Sequence, residues 1–102
     1  MQYKIYQLFL RSFLNNSQNT KPNGSWDENG SGTFDHINEL FINHLKSLQI
    51  NVLWITGVIR HASTESWPNL HTPASVPELI KGKAGSPYAI ADYFDINPYL
   101  AS

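Results

Sequence analysis

The sequence contains no cysteine, which removes disulfides, thiolate metal sites and cysteine nucleophiles from consideration. Charge is scarce as well: 15% of residues are charged and the net is -1, too weak a field to draw a polyanion, so nucleic acid and anionic lipid are set aside as partners. No apolar run approaches the roughly 20 residues that cross a bilayer. The start, Met1-Gln2-Tyr3-Lys4-Ile5, has neither the basic segment nor the apolar stretch of a secretory leader. The expectation is a cytoplasmic protein with no membrane partner. Internal repeats and low-complexity tracts are also missing. Aromatic residues, by contrast, are plentiful at 13%, within a hydrophobic content of 41%, which fits a folded chain of at most one domain with a modest core.

Residues 3–13 are aromatic and aliphatic with no Gly or Pro, which predicts a strand, and because its middle is apolar on both parities both faces are expected to be covered. Residues 14–32 turn to Asn, Ser, Gly and Pro, a polar loop that is long for a compact domain. A helix is predicted over 34–49: Ile37, Leu40, Phe41, Leu45 and Leu48 recur at spacings of three and four, and Thr33 or Asp35 is placed to cap it. A second apolar strand over 50–56 follows, closed by Gly57, so the unit reads as a βαβ crossover with parallel strands. A long loop, 58–98, completes the chain, with one short helix expected near Val76 to Ile80. Two parallel strands leave open edges and bare faces. Either a third strand lies near residues 89 to 96, or the unit belongs to a larger α/β protein; the second is preferred because no strong strand signal remains.

Four segments in order resemble the beginning of the alpha-amylase family of glycoside hydrolases. Ile5-Tyr6-Gln7-Leu8-Phe9-Leu10-Arg11-Ser12-Phe13 is similar to the family's first strand, and Phe34 to Gln49 to its first helix. Ile50 to Val58 is similar to its second strand, and Gly85-Ser86-Pro87-Tyr88 through Pro98 to a loop over the sugar site. The stretch from Arg60 to Lys83 departs from that pattern. The resemblance implies the amino-terminal βαβ portion of a (β/α)8 TIM barrel, incomplete in this chain, with its two long loops on the functional face at the strand carboxyl ends. It implies retaining hydrolysis of alpha-glucosidic bonds in starch, glycogen or maltodextrins by two carboxyl groups about 5–5.5 Å apart. In the family those acids come from later strands, so no catalytic residue is assigned and the chain by itself is expected to be inactive. Its expected partners are an alpha-glucan or maltooligosaccharide and the remainder of the barrel. The alternative is a small non-catalytic carbohydrate-binding module; a third reading is a structural or interaction piece.

The resemblance places Tyr88 on the family's sugar-stacking tyrosine, where an aromatic ring covers the C–H face of a pyranose; the plain alternative is a packed turn residue. Asp92 is expected to structure the loop through backbone N–H groups, and Tyr93 and Phe94 to pack. Asp92 and Asp95, three apart, carry nothing of a paired-acid geometry. Asp27, Asn29, Ser31, Thr33 and Asp35 bring oxygen atoms at alternate positions, the donor type calcium prefers. This stretch resembles a calcium loop of some family members, with Asp27, Asn29, Asp35 and the Thr33 carbonyl on ligand positions and Ser31 where that pattern has a carboxylate. Its alternative is a Gly-rich turn ending in a helix cap. Trp54 is expected in the core, while Trp26 and Trp67 are open to sugar. His36, His44, His61 and His71 have no zinc-helix spacing and read as structural or surface residues. Lys81 and Lys83 flank Gly82 in a basic spot of a kind that meets phosphate, although two lysines ordinarily mark a solvated turn.

Overall fold

The computed structural model describes residues 1–64 and 76–101. The first strand, β1, covers Ile5–Phe9, well inside the predicted 3–13. It ends because the chain curls into a turn, with the Ser12 and Phe13 N–H groups donating to the Phe9 carbonyl at 3.1 and 3.2 Å. The apolar residues past Phe9 therefore serve the core from a turn: Leu10 is fully buried, and the Phe13 ring lies 4.7 Å from that of Phe41. Within the polar loop a single helical turn, α1, spans Trp26–Asn29 and is fixed by a capping box between Ser25 and Glu28.

The helix predicted over 34–49 is divided. A 3-10 turn occupies Phe34–His36, and after a break at Ile37 the helix α2 runs Glu39–Ser47. Asn38 makes the division: its side-chain oxygen accepts the Phe41 N–H at 3.1 Å, so it caps α2 and displaces the expected caps at Thr33 and Asp35. Leu45 is buried on α2, and Ile37 and Phe41 pack against the core, but Leu40 and Leu48 face solvent at 81% and 52% exposure. The strand β2, Val52–Thr56, then pairs parallel with β1, Ile5 opposite Val52 and Phe9 opposite Thr56.

This register sorts the two faces of the pair. Tyr6 and Leu8 share a face with Leu53 and Ile55, and that face is covered by α2 and the core cluster of Leu8, Leu10, Trp26, Ala84 and Leu100. Ile5, Gln7 and Phe9 share the other with Val52, Trp54 and Thr56, and here Ile5 and Trp54 are more than half exposed. Coverage on both faces, expected from the apolar parities, is thus not found, and Trp54 is not a core residue. Two strands and one helix cannot enclose a parallel sheet on both sides.

The predicted loop 58–98 holds further structure. Strand β3, Ile59–His61, pairs antiparallel with β4, Ile90–Ile96, so residues 89 to 96 do contain a strand, in a second two-stranded sheet separate from the first. Periodicity misses it because the pairing is short and its register irregular. The short helix expected near Val76 to Ile80 is a 3-10 turn over Pro77–Leu79. Among the described residues no helix is long and apolar enough to cross a membrane.

Because Leu10 is buried in the turn and Leu40 is not buried on the helix, their truncations should separate. Leu10→Ala is expected to cost about 2–5 kcal/mol, and Leu40→Ala no more than about 0.5 kcal/mol, read from urea midpoints. Equal losses would restore Leu40 to the core stripe.

Candidate functional site

Beyond the carboxyl ends of β1 and β2, on the bare face of the sheet, lies a concavity of about 570 Å³ lined by Gln7, Phe9, Arg11, Thr56, Pro87 and Tyr88. Local geometry brings the 86–88 segment there. Gly57 ends β2 at φ 74, and a side-chain carbon at this position would stand 2.8 Å from Pro87 and 2.9 Å from the Phe9 ring. Only the smallest residue lets that turn approach the strand ends so closely. The Tyr88 N–H reaches the Ser86 hydroxyl at 3.3 Å, closing the turn, and the Tyr88 ring is 76% exposed. Tyr88 therefore stands free at the mouth and is not packed. On the floor the Gln7 amide donates to the Thr56 hydroxyl at 2.9 Å, a diagonal bond, since Gln7 pairs with Trp54 and Thr56 with Phe9. The arrangement combines an exposed aromatic ring, a second ring and an amide with donor and acceptor capacity left over.

The remaining candidates lie elsewhere. Asp92, on β4, accepts the Phe94 N–H at 2.9 Å through one oxygen and Arg60 at 2.8 Å through the other, while Asp95 is 3.4 Å from the same guanidinium. Both carboxylates are thus engaged with one buried cation and the local backbone, and neither lines the Tyr88 concavity. Tyr93 and Phe94, expected to pack, are 74% and 101% exposed, because these adjacent positions of β4 point to opposite faces and the two-stranded sheet covers them on neither.

Trp26 is not available to a sugar. It is 2% exposed, stacks on Tyr99 with ring centroids 5.2 Å apart, and donates its indole N–H to the Ala84 carbonyl at 3.2 Å. The same carbonyl lies 2.8 Å from His61 Nε2, and since a carbonyl only accepts, the proton sits on Nε2. Nδ1 then faces the Asn97 amide at 3.4 Å. Burial holds the His61 pKa below its ordinary 6.5, and the nearby Arg11 charge pushes the same way. Trp67 and His71 lie outside the described residues.

In the proposed calcium stretch, Asp27 and Asn29 belong to α1 and Asp35 to the following 3-10 turn. Two of the four ligands already have protein partners. The Asn29 carboxamide forms a ring with the Lys21 backbone, accepting at 2.6 Å and donating at 2.9 Å. The Thr33 carbonyl accepts the His36 N–H at 3.1 Å. Asp27 and Asp35 are exposed, and Ser31 donates its hydroxyl to the Gly32 carbonyl. Between them, Glu28 is held at a pKa of about 2 by the Ser25 N–H and then by Lys21.

Sequence reasoning identified Tyr88 but not Gln7, Phe9, Arg11 or Thr56 beside it. The parallel register that gathers them was available as a signal, since pairing the two predicted strands puts Phe9 and Thr56 side by side. No protein-family model matches the chain, and searches of curated proteins and of solved structures return no match either.

The neutral, buried His61 makes stability depend on pH. Its folded pKa lies below the unfolded value, so the unfolded chain binds the extra proton. The contribution is complete above the ordinary 6.5 and is lost as pH falls below it. Thermal melts from about pH 8 to about pH 5, which bracket the ordinary histidine range, should show a falling melting temperature, and His61→Gln should flatten that slope. A slope of the same size in the variant would assign the effect to other groups.

Proposed function

We propose that this chain is the sugar-facing amino-terminal part of an alpha-amylase-type glycoside hydrolase barrel, binding an alpha-glucan or maltooligosaccharide against Tyr88. The observation that carries the reading is the position of the Tyr88 ring: exposed, at the mouth of a concavity formed beyond the carboxyl ends of two parallel strands. A pyranose offers an apolar face to such a ring, and its hydroxyls find Gln7 and Arg11 beside it. The bare sheet face is the surface against which the remainder of the barrel would close.

The lining residues include no carboxylate, so cleavage would draw its acid and nucleophile from elsewhere in the barrel, and these residues would bind and orient the sugar. Tyr88→Ala is expected to weaken maltooligosaccharide binding by about tenfold, the effect of losing about 1.4 kcal/mol, without shifting the melting temperature. The pure chain should release no reducing sugar. Unchanged affinity in the variant would return Tyr88 to a surface role, and hydrolysis by the chain alone would overturn the division of labour.

Calcium belongs to the same reading. Asp27 and Asp35 supply free carboxylates, and Asn29 would exchange its Lys21 bonds for the ion. If the ion is held there, a chelator lowers the melting temperature and calcium restores it, with Asp27→Asn abolishing the response. A melting curve indifferent to both removes the ligand set.

A further inference from the structure

Arg11, two residues past the end of β1, separates the Tyr88 concavity from a second one of about 260 Å³. Its guanidinium lies 4.3 Å above the Trp26 ring, which holds it in a fixed orientation. Among the described residues it has no carboxylate partner and donates no hydrogen bond. Burial lowers its pKa, with no compensating anion nearby. A partly desolvated cation of this kind is costly unless something anionic pairs with it.

The second concavity brings a second cation to the first. Arg11 lines it together with Lys81 and Gly82, seventy positions on in the chain, and with Asn23 and Asn29, and among the described residues no Asp or Glu lines the wall. Lys81 likewise forms no ion pair among the described residues. The nearby carboxylate, Glu28, is engaged from outside by Lys21 at 3.0 Å and Lys83 at 3.9 Å, so it does not neutralise the pair. The walls are tied together: the Asn29 ring with Lys21 fixes one side, and the Lys83 N–H donates to the Asn23 carbonyl at 3.4 Å on the other. Gly24 and Gly82 present backbone to this hollow, and a side-chain carbon there would stand 2.7 Å from the Asn29 amide and 3.2 Å from the Asn23 amide oxygen. The volume falls below the roughly 300–1,000 Å³ of ordinary small-molecule clefts and suits a polar head group more than an oligosaccharide.

We propose that Arg11 and Lys81, with the Asn23 amide, form a binding site for a phosphoryl dianion. Two cations match a doubly charged group, and the planar guanidinium can hold two of its oxygens at once while the lysine supplies a point charge. The phosphoryl group can be inorganic phosphate or the phosphate ester of a sugar. The site does not rest on the glucan reading, since Lys81, Gly82 and Asn23 take no part in the Tyr88 concavity.

The test is an amide-resolved NMR titration of the chain at low ionic strength with inorganic phosphate, glucose 6-phosphate and glucose. Phosphate should give saturable shifts at Gly82 and Gly24, and glucose none. Tighter binding of glucose 6-phosphate identifies the ester as the ligand, and equal binding identifies the free anion; either supports the site. Lys81→Gln changes an exposed side chain and should weaken phosphate about three- to tenfold with the fold intact. Arg11→Lys keeps the charge but loses the planar fork, and should weaken it about tenfold. Absence of saturable shifts, or affinity unchanged in Lys81→Gln, overturns the proposal.

Discussion

One carbonyl oxygen organises the molecule. The Ala84 oxygen accepts from the Trp26 indole at 3.2 Å and from His61 at 2.8 Å, joining α1, β3 and the turn that leads to Tyr88. Tyr99 stacks on one part of this group and Arg11 lies over the indole, so the last turn and the end of β1 close around it. Two donors on one acceptor satisfy three buried polar groups; displacing the carbonyl leaves both donors unpaired at a cost of about 1–3 kcal/mol each, whereas losing one donor leaves the other bond in place. The backbone beside it has no slack. At Gly85, φ is 72 and any side-chain carbon would run into the Ala62 carbonyl.

Around that hub the apolar surface is unevenly covered. The accessible area is 7082 Å², against about 5,800 Å² for a compact monomer of this mass. The radius of gyration is 15.2 Å, against about 13 Å for a compact domain of this length. Among the described residues the large exposed apolar side chains include Ile5 and Trp54 on the bare sheet face, and Tyr93, Phe94 and Ile96 on β4. The first group follows from topology, since a parallel pair with a single crossover helix has cover on one face only. The Tyr88 concavity opens on the same bare face.

The elements with regular period were legible and those held by single polar contacts were not. The two parallel strands and the helix between them could be read from apolar runs and a three-four spacing. The division of the helix could not, because the Asn38 carboxamide outcompetes continuation of the hydrogen-bond ladder, and an Asn within a periodic stretch looks like any polar position. Trp54 was misplaced for a related reason: an apolar run reads the same whether one face is covered or two. Trp26 was the converse, a tryptophan in a polar loop whose burial depends on Ala84, fifty-eight positions away. The β3–β4 pair leaves no local pattern, because it is short and irregular in register and its Arg60 contacts to Asp92 and Asp95 join residues far apart in the chain. The resemblance singles out Tyr88 alone, and the residues beside it need the strand register.

Arg11 shows why the two concavities belong in one account. Its aromatic neighbour Trp26 is fixed by the hub, so its guanidinium cannot withdraw into solvent without giving up the stacking contact. A cation held in place at the boundary of two hollows, with hydroxyl-binding groups on one side and a second cation on the other, is preorganised: the cost of orienting it falls on folding and not on binding. A ligand that reaches both sides would therefore gain from a group already positioned. The Tyr88 concavity and the Lys81 concavity are separated by one side chain, and the Ala84 carbonyl, through Trp26, holds that side chain in place beyond the end of β1.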